Sequence, residues 1–183
     1  MSNLLHVKQA YTGKVLKTLE MHDSEQVNSM LETAQALHQQ GALPIYERVN
    51  ILRKLADLVA NEHEQFSQLI ANEGGKPIRD ARVEVTRAVG GIHIAIAEIQ
   101  KIQGDEIPMD LSAAGAGRKA FTIMEPIGVV VAVSAFNHPL NLAIHQVIPA
   151  VAAGCPVIIK PAAVTPLSTL RLAELIAQAG LAD

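Results

Sequence analysis

At 183 residues the chain is long enough for one domain, or one and a small piece, and its 49% hydrophobic content excludes disorder. Aromatics are 3% and Trp is absent, so the core must come from Leu, Ile, Val and Ala, as in buried parallel strands and their covering helices. A net charge of −3 without a basic run argues against a nucleic-acid partner; the single cysteine, Cys155, excludes an internal disulfide and fits a reducing compartment.

The first residues lack the charged and apolar regions of a signal peptide. The longest apolar run, Ile127 to Phe136, is too short to span a bilayer. A cytoplasmic protein with no membrane partner is therefore expected.

In chain order, Leu4 to Met21 reads as a β-hairpin turning at Thr12-Gly13. Asp23 or Ser24 can cap a helix to about Gln40, with Val27, Met30, Leu31, Ala34 and Leu37 on one stripe and Gly41 at its end. Pro44 opens a long helical region to about Asn72, which Glu73-Gly-Gly-Lys-Pro77 interrupts as a sharp turn. A third helix is predicted from Pro77 to about Gln103, weakened at Gly90-Gly91. Residues 105–117 read as a loop or weak strand, and Arg118 to Met124 as a strand of an extended hairpin.

From Ile127 the pattern becomes β-α-β-α: strand 129–134, helix 139–153, strand 157–160, helix 166–179. Thr165 is predicted to cap the last helix, with Pro166 in its first position and Gly180 closing it. The fold class is α/β, with N-terminal helices, an extended β-hairpin and the first βαβα portion of a Rossmann-like parallel sheet.

Gly115-Ala-Gly-Arg-Lys-Ala120 matches the dinucleotide fingerprint G-x-G-x-x-A in letters. That fingerprint needs a strand before it and a helix after it. Here a polar loop precedes it and a strand follows, so a turn is the better account.

Asn137 follows a buried strand directly. It can donate its side-chain amide into a crevice where negative charge develops on an oxygen, or it can serve as a turn or capping residue. Lys160 ends the second strand before Pro161. It can bond ribose hydroxyls or a phosphate, or lie as a surface lysine with its stem on apolar neighbours. Cys155 leads into a buried strand and reads as structural rather than nucleophilic. The seven histidines show no metal spacing, and no metal is expected. Glu73 reads as a turn residue.

Taken in order, Pro126-Ile-Gly-Val-Val130, Ala135-Phe-Asn-His-Pro-Leu140, Pro149-Ala-Val-Ala-Ala-Gly154, Ile159-Lys-Pro161 and Thr165-Pro166 resemble the aldehyde dehydrogenase superfamily. Upstream, Glu73-Gly-Gly-Lys-Pro-Ile-Arg-Asp-Ala-Arg-Val-Glu-Val85 resembles that family's turn between N-terminal helices. The resemblance covers nearly the whole chain.

The resemblance implies a role for each matching position. Asn137 matches the asparagine whose amide forms half of the oxyanion hole. Val133, Ser134, Ala135 and Phe136 match the strand end lining the cofactor. Lys160 matches the lysine that bonds the adenosine ribose, and Ala162 and Ala163 follow it along the same wall. Many NAD-preferring members carry Glu at the position of Ala163, where it repels a 2′-phosphate. The cofactor is thus NAD or NADP, with NADP tolerated or preferred. Phe136 and His138 also depart from the family, which often has Trp and Phe there.

By the same resemblance, the catalytic cysteine, the water-activating glutamate and the glycine-rich turn near the pyrophosphate fall after the equivalent of Asp183. The expected divisions of an incomplete NAD(P)-binding domain over 1–183 are a hairpin and helical part (1–104), an extended hairpin with oligomerisation strands (105–126) and the first half of the sheet (127–183). The whole protein is expected to oxidise a small aldehyde to an acid as a homo-oligomer, with the isolated chain inactive. The alternative is a non-catalytic module that binds cofactor or oligomerises.

Overall fold

The computed structural model describes residues 3–181, so the first two and last two positions of the 1–183 span lie outside it. The elements run β1 (Leu4–Lys8), β2 (Val15–Glu20), α1 (Ser24–Gln40), α2 (Ile45–Asn61), α3 (His63–Gly74), α4 (Ile78–Ile99), β3 (Glu106–Ile107), β4 (Ala120–Phe121), β5 (Val130–Val133), α5 (Pro139–Ala153), β6 (Val157–Lys160) and α6 (Leu167–Ala179). This is the mixed α/β arrangement expected, with helices first and a parallel β-α-β-α unit last.

β1 and β2 pair antiparallel, and Gly13 takes a left-handed φ of 70° in their turn. The hairpin is tied to α3 where the Ala10 N–H donates to Asn72 O at 2.9 Å and Gln9 Nε2 to Asn72 Oδ1 at 3.0 Å. Asp23 caps α1 in a reciprocal capping box with Gln26. The apolar stripe expected on α1 is mostly uncovered: Ala34 alone is fully buried in this helix, while Val27 and Leu31 are exposed.

The long helix expected from Pro44 to Asn72 is two helices, α2 and α3, joined at Glu62 with φ −96° and ψ 21°. No glycine or proline marks the break. The Glu62 carboxylate is gripped by the Arg171 guanidinium of α6, with Nε donating to Oε2 at 2.8 Å and the second contact from Nη2 to Oε1. That pair spans 109 residues, which no local pattern can report.

α4 ends at Ile99, before the expected Gln103, and runs through Gly90-Gly91 unbroken. A Cβ at Gly91 would stand 3.2 Å from Ile144 Cγ2, so the glycine lets α4 approach α5 closely. The strand expected over Arg118 to Met124 shrinks to Ala120–Phe121, pairing with Glu106–Ile107. Gly115 to Gly117 form a turn, as the missing helix after that motif implied.

The core is aliphatic apart from Phe66. Leu52 and Val59 of α2, Phe66 and Ile70 of α3, Val85 and Ile92 of α4, Ile144 and Ile148 of α5, and Leu172 and Leu175 of α6 are fully or almost fully buried together. Removing such surface from water stabilises by about 1.5–3 kcal/mol per large aliphatic side chain. α4 lies against α2, α3 and α5, and α5 packs on both β5 and β6. Among the described residues no helix is long and apolar enough to cross a membrane, and no group of three or more His, Cys, Asp or Glu could hold a metal.

Candidate active site

β5 and β6 are parallel neighbours in the register Val130–Val157 to Val133–Lys160. The Ser134 N–H donates to Lys160 O at 3.0 Å, which extends the ladder to the ends of both strands. The chain therefore leaves β5 and β6 at one edge of the sheet, the carboxyl edge where α/β proteins hold ligands. The Thr165 hydroxyl donates to Phe136 O at 3.0 Å and ties the two exit loops together.

The side chains at this edge divide into two groups. Val133, Ala135, Phe136, Asn137, Lys160 and Ala163 are exposed. Ser134 and Ala162 are buried. The Ser134 hydroxyl turns toward α5 and donates to Gln146 Oε1 at 3.3 Å, while Gln146 Nε2 donates to Val133 O at 3.1 Å. Ser134 and Ala162 thus offer the edge backbone rather than side chain. Cys155 precedes β6 and sits at the opposite edge of the sheet, roughly 13 Å away along a four-residue strand. Its thiol is buried and remote from Asn137, in keeping with a structural role.

Two glutamates not predicted to matter organise this edge from behind. Glu84 of α4 is 1% exposed. Its Oε1 accepts from the backbone N–H of Leu140 at 3.0 Å and of Asn141 at 3.2 Å, in the first turn of α5. Its Oε2 accepts from Lys76 Nζ at 2.5 Å. Lys76 Nζ also stands 2.9 Å from His138 Nδ1. His138, the N-cap of α5, adopts the left-handed conformation with φ 52° and ψ 55°.

Glu73, expected as a turn residue, is the last buried side chain of α3. Its carboxylate accepts from Leu167 N at 2.6 Å, Ser168 N at 3.0 Å and Ser168 Oγ at 2.7 Å. It caps α6, whereas Thr165, expected in that part, gives its hydroxyl to the exit loop. Burial pushes the Glu73 carboxyl above its ordinary range; the Ser168 and Leu167 hydrogen bonds oppose this and the nearby Glu84 charge adds to it.

A helix N-terminus after a parallel strand is a ready anion site. At α5 and α6 protein carboxylates already occupy that position. The exposed edge is left with one amide donor, one ammonium and apolar surface. These groups fit the ribose and apolar parts of a dinucleotide and a carbonyl oxygen, while a diphosphate finds no free helix end here.

The sequence matches the aldehyde dehydrogenase family over residues 2–183. The chain belongs to the aldehyde dehydrogenase family. It is 38% identical to a 3-sulfolactaldehyde dehydrogenase of Priestia aryabhattai over 97% of this chain and 37% of that protein. Its fold is similar to the crystal structure of aldehyde dehydrogenase 21 from Physcomitrella patens in complex with the reaction product succinate, with a TM-score of 0.93 and 38% identity over 97% of this chain and 37% of the other. It is also similar to the glyceraldehyde-3-phosphate dehydrogenase of Methanocaldococcus jannaschii complexed with NADP, with a TM-score of 0.89 and 33% identity over 96% and 37% of the two chains. The chain therefore spans little more than a third of the length of these relatives.

Proposed function

We propose that the whole protein oxidises a small aldehyde to its carboxylic acid with NAD or NADP, and that this chain supplies the oxyanion donor and part of the cofactor wall. The observation that carries this reading is the pairing of Val133 with Lys160, which puts the residues leading to Asn137 and the side chain of Lys160 at one exposed edge in a member of this family.

The nicotinamide cofactor supplies the two-electron acceptor of the oxidation. This chain's own residues bind and polarise. The Asn137 side-chain amide donates to the aldehyde oxygen as negative charge grows there, an interaction stronger in the transition state than in the ground state. Lys160 bonds the adenosine ribose. Val133, Ala135 and Phe136 present an apolar wall, and Ser134 and Ala162 hold the backbone beside it. Ala163 leaves room without negative charge, which favours acceptance of a 2′-phosphate and hence of NADP.

The isolated chain is inactive on this reading, because its one thiol is buried at the wrong edge of the sheet. Residues 1–104, 105–126 and 127–183 act as helical support, association hairpin and cofactor edge. Phe121, Ile123, Met124 and Ile127 are exposed apolar side chains on or beside the hairpin, which supports homo-oligomer formation through it.

The test is aldehyde-dependent NAD(P)H formation. The whole protein is expected to show it and the isolated chain to show none. Reduction by the isolated chain overturns its assigned inactivity, and a whole protein without activity on any aldehyde overturns the enzyme reading in favour of a non-catalytic module.

A further inference from the structure

The geometry points to Glu84 as a positioning residue that aims the Asn137 amide by pinning the elbow between β5 and α5. This rests on the reading of Asn137 as the oxyanion donor.

Asn137 stands one residue before His138, where an extended chain must turn abruptly into a helix. His138 makes that turn in the left-handed region, at φ 52°. It is a non-glycine residue there, and such a conformation persists only where its surroundings impose it. The imposing groups are Lys76 and Glu84. Lys76 Nζ donates to Glu84 Oε2 at 2.5 Å and stands 2.9 Å from His138 Nδ1, which itself lies 3.3 Å from Glu84 Oε2. On the far side of the elbow, Glu84 Oε1 holds the backbone amides of Leu140 and Asn141.

One carboxylate thus grips the chain on both sides of residue 138, through a lysine to its side chain and directly to the helix that follows. The Glu84 side chain is completely buried and that of Lys76 is 15% exposed, so neither has freedom to drift. Upstream, the Ser134 N–H and the Phe136 carbonyl are fixed to Lys160 and Thr165. Asn137 is the exposed link between two fixed points, and its amide direction follows from them. An oxyanion donor must be held to within a fraction of an ångström to act before the charge appears.

A helix cap with no bearing on Asn137 would change stability alone. A double-mutant cycle in the whole protein separates the two. Glu84→Gln should lower kcat for aldehyde oxidation roughly ten- to a hundredfold with the cofactor KM unchanged. The same substitution in an Asn137→Ala background should cost less than about twofold, because the group being aimed is gone. Lys76→Met leaves the bonds from the α5 amides to Glu84 in place and is read the same way if Glu84→Gln does not fold. An equal fold-loss in both backgrounds, or an undiminished kcat in Glu84→Gln or in a folded Lys76→Met, overturns the inference. An Asn137→Ala protein with undiminished kcat overturns the donor reading first, and the positioning role with it.

Discussion

Glu73 and Glu84 lie on successive helices and each reaches the first turn of a different helix behind the sheet, Glu73 that of α6 and Glu84 that of α5. Neither α5 nor α6 has a side-chain cap of its own. The unpaired amides that every helix start carries are satisfied here across the fold, by carboxylates from the N-terminal helices. The two carboxylates are close enough that the Glu84 charge helps raise the Glu73 pKa. The packing of the helical layer and the capping of α5 and α6 thus rest on the same two carboxylates.

Removing either carboxylate leaves buried backbone amides without a partner. Glu73→Ala and Glu84→Ala should each lower unfolding free energy by about 2–4 kcal/mol, whereas Thr165→Val, which loses one hydroxyl bond to Phe136 O, should cost about 1 kcal/mol. Urea unfolding of the three variants checks the order. A Thr165→Val effect larger than that of Glu73→Ala would contradict the assignment of the α6 cap.

The Glu73 carboxyl is raised in the folded chain, chiefly by burial. Its protonated form is favoured by folding, so its contribution is complete below the ordinary carboxylate pKa of about 4.3 and is lost as pH climbs through the raised folded value. The stability difference between the parent chain and Glu73→Gln should be greatest near pH 4 and shrink as pH rises. Glu64 behaves oppositely: its hydrogen bonds from Arg82 and Gln68 lower it to about 2, so its contribution is lost only as pH falls toward that value. Urea midpoints across pH for both chains give the comparison.

Gly90 and Gly91 differ in what a side chain would meet. Nothing lies within 4 Å of a Cβ at Gly90, so Gly90→Ala should stabilise α4 by about 0.5–1 kcal/mol through helix propensity. At Gly91 the added methyl meets the buried, β-branched Ile144 at 3.2 Å. The gain there is offset by crowding of about 1–3 kcal/mol, and Gly91→Ala should be the less stable of the two. Thermal denaturation of both variants decides it.

Much of the fold was legible because its signals are local. Proline and glycine bracket α5 and α6, and the apolar runs of β5 and β6 carry their own period. The sequence also carries a signal for Glu73 and Glu84. Glu84 lies on the same buried stripe as Ala81, Val85 and Ala88, and Glu73 on that of Phe66 and Ile70. A carboxylate on an apolar helix face needs a buried partner, and helix starts supply amides. The break at Glu62 and the tie from Thr165 to Phe136 were not legible, since each depends on a partner distant in sequence. The left-handed turn at His138 was hidden for a similar reason: the groups that meet its ring, Lys76 and Glu84, are distant in sequence.

On the proposed reading, cofactor choice turns on position 163. Ala163→Glu should depress kcat/KM for NADP relative to NAD by about tenfold or more, since a carboxylate facing a 2′-phosphate repels it while accepting from a free hydroxyl. Steady-state kinetics of the whole protein with both cofactors tests this. An unchanged NADP/NAD ratio would remove Ala163 from the cofactor wall.

On the proposed reading, Asn137 stabilises charge on the aldehyde oxygen. The direct measurement is kcat for aldehyde oxidation by the whole protein and its Asn137→Ala variant, with cofactor affinity measured alongside. A loss of roughly 100- to 1,000-fold in kcat with cofactor affinity retained is expected. A variant that keeps kcat within about threefold of the parent, with the fold intact, would contradict it.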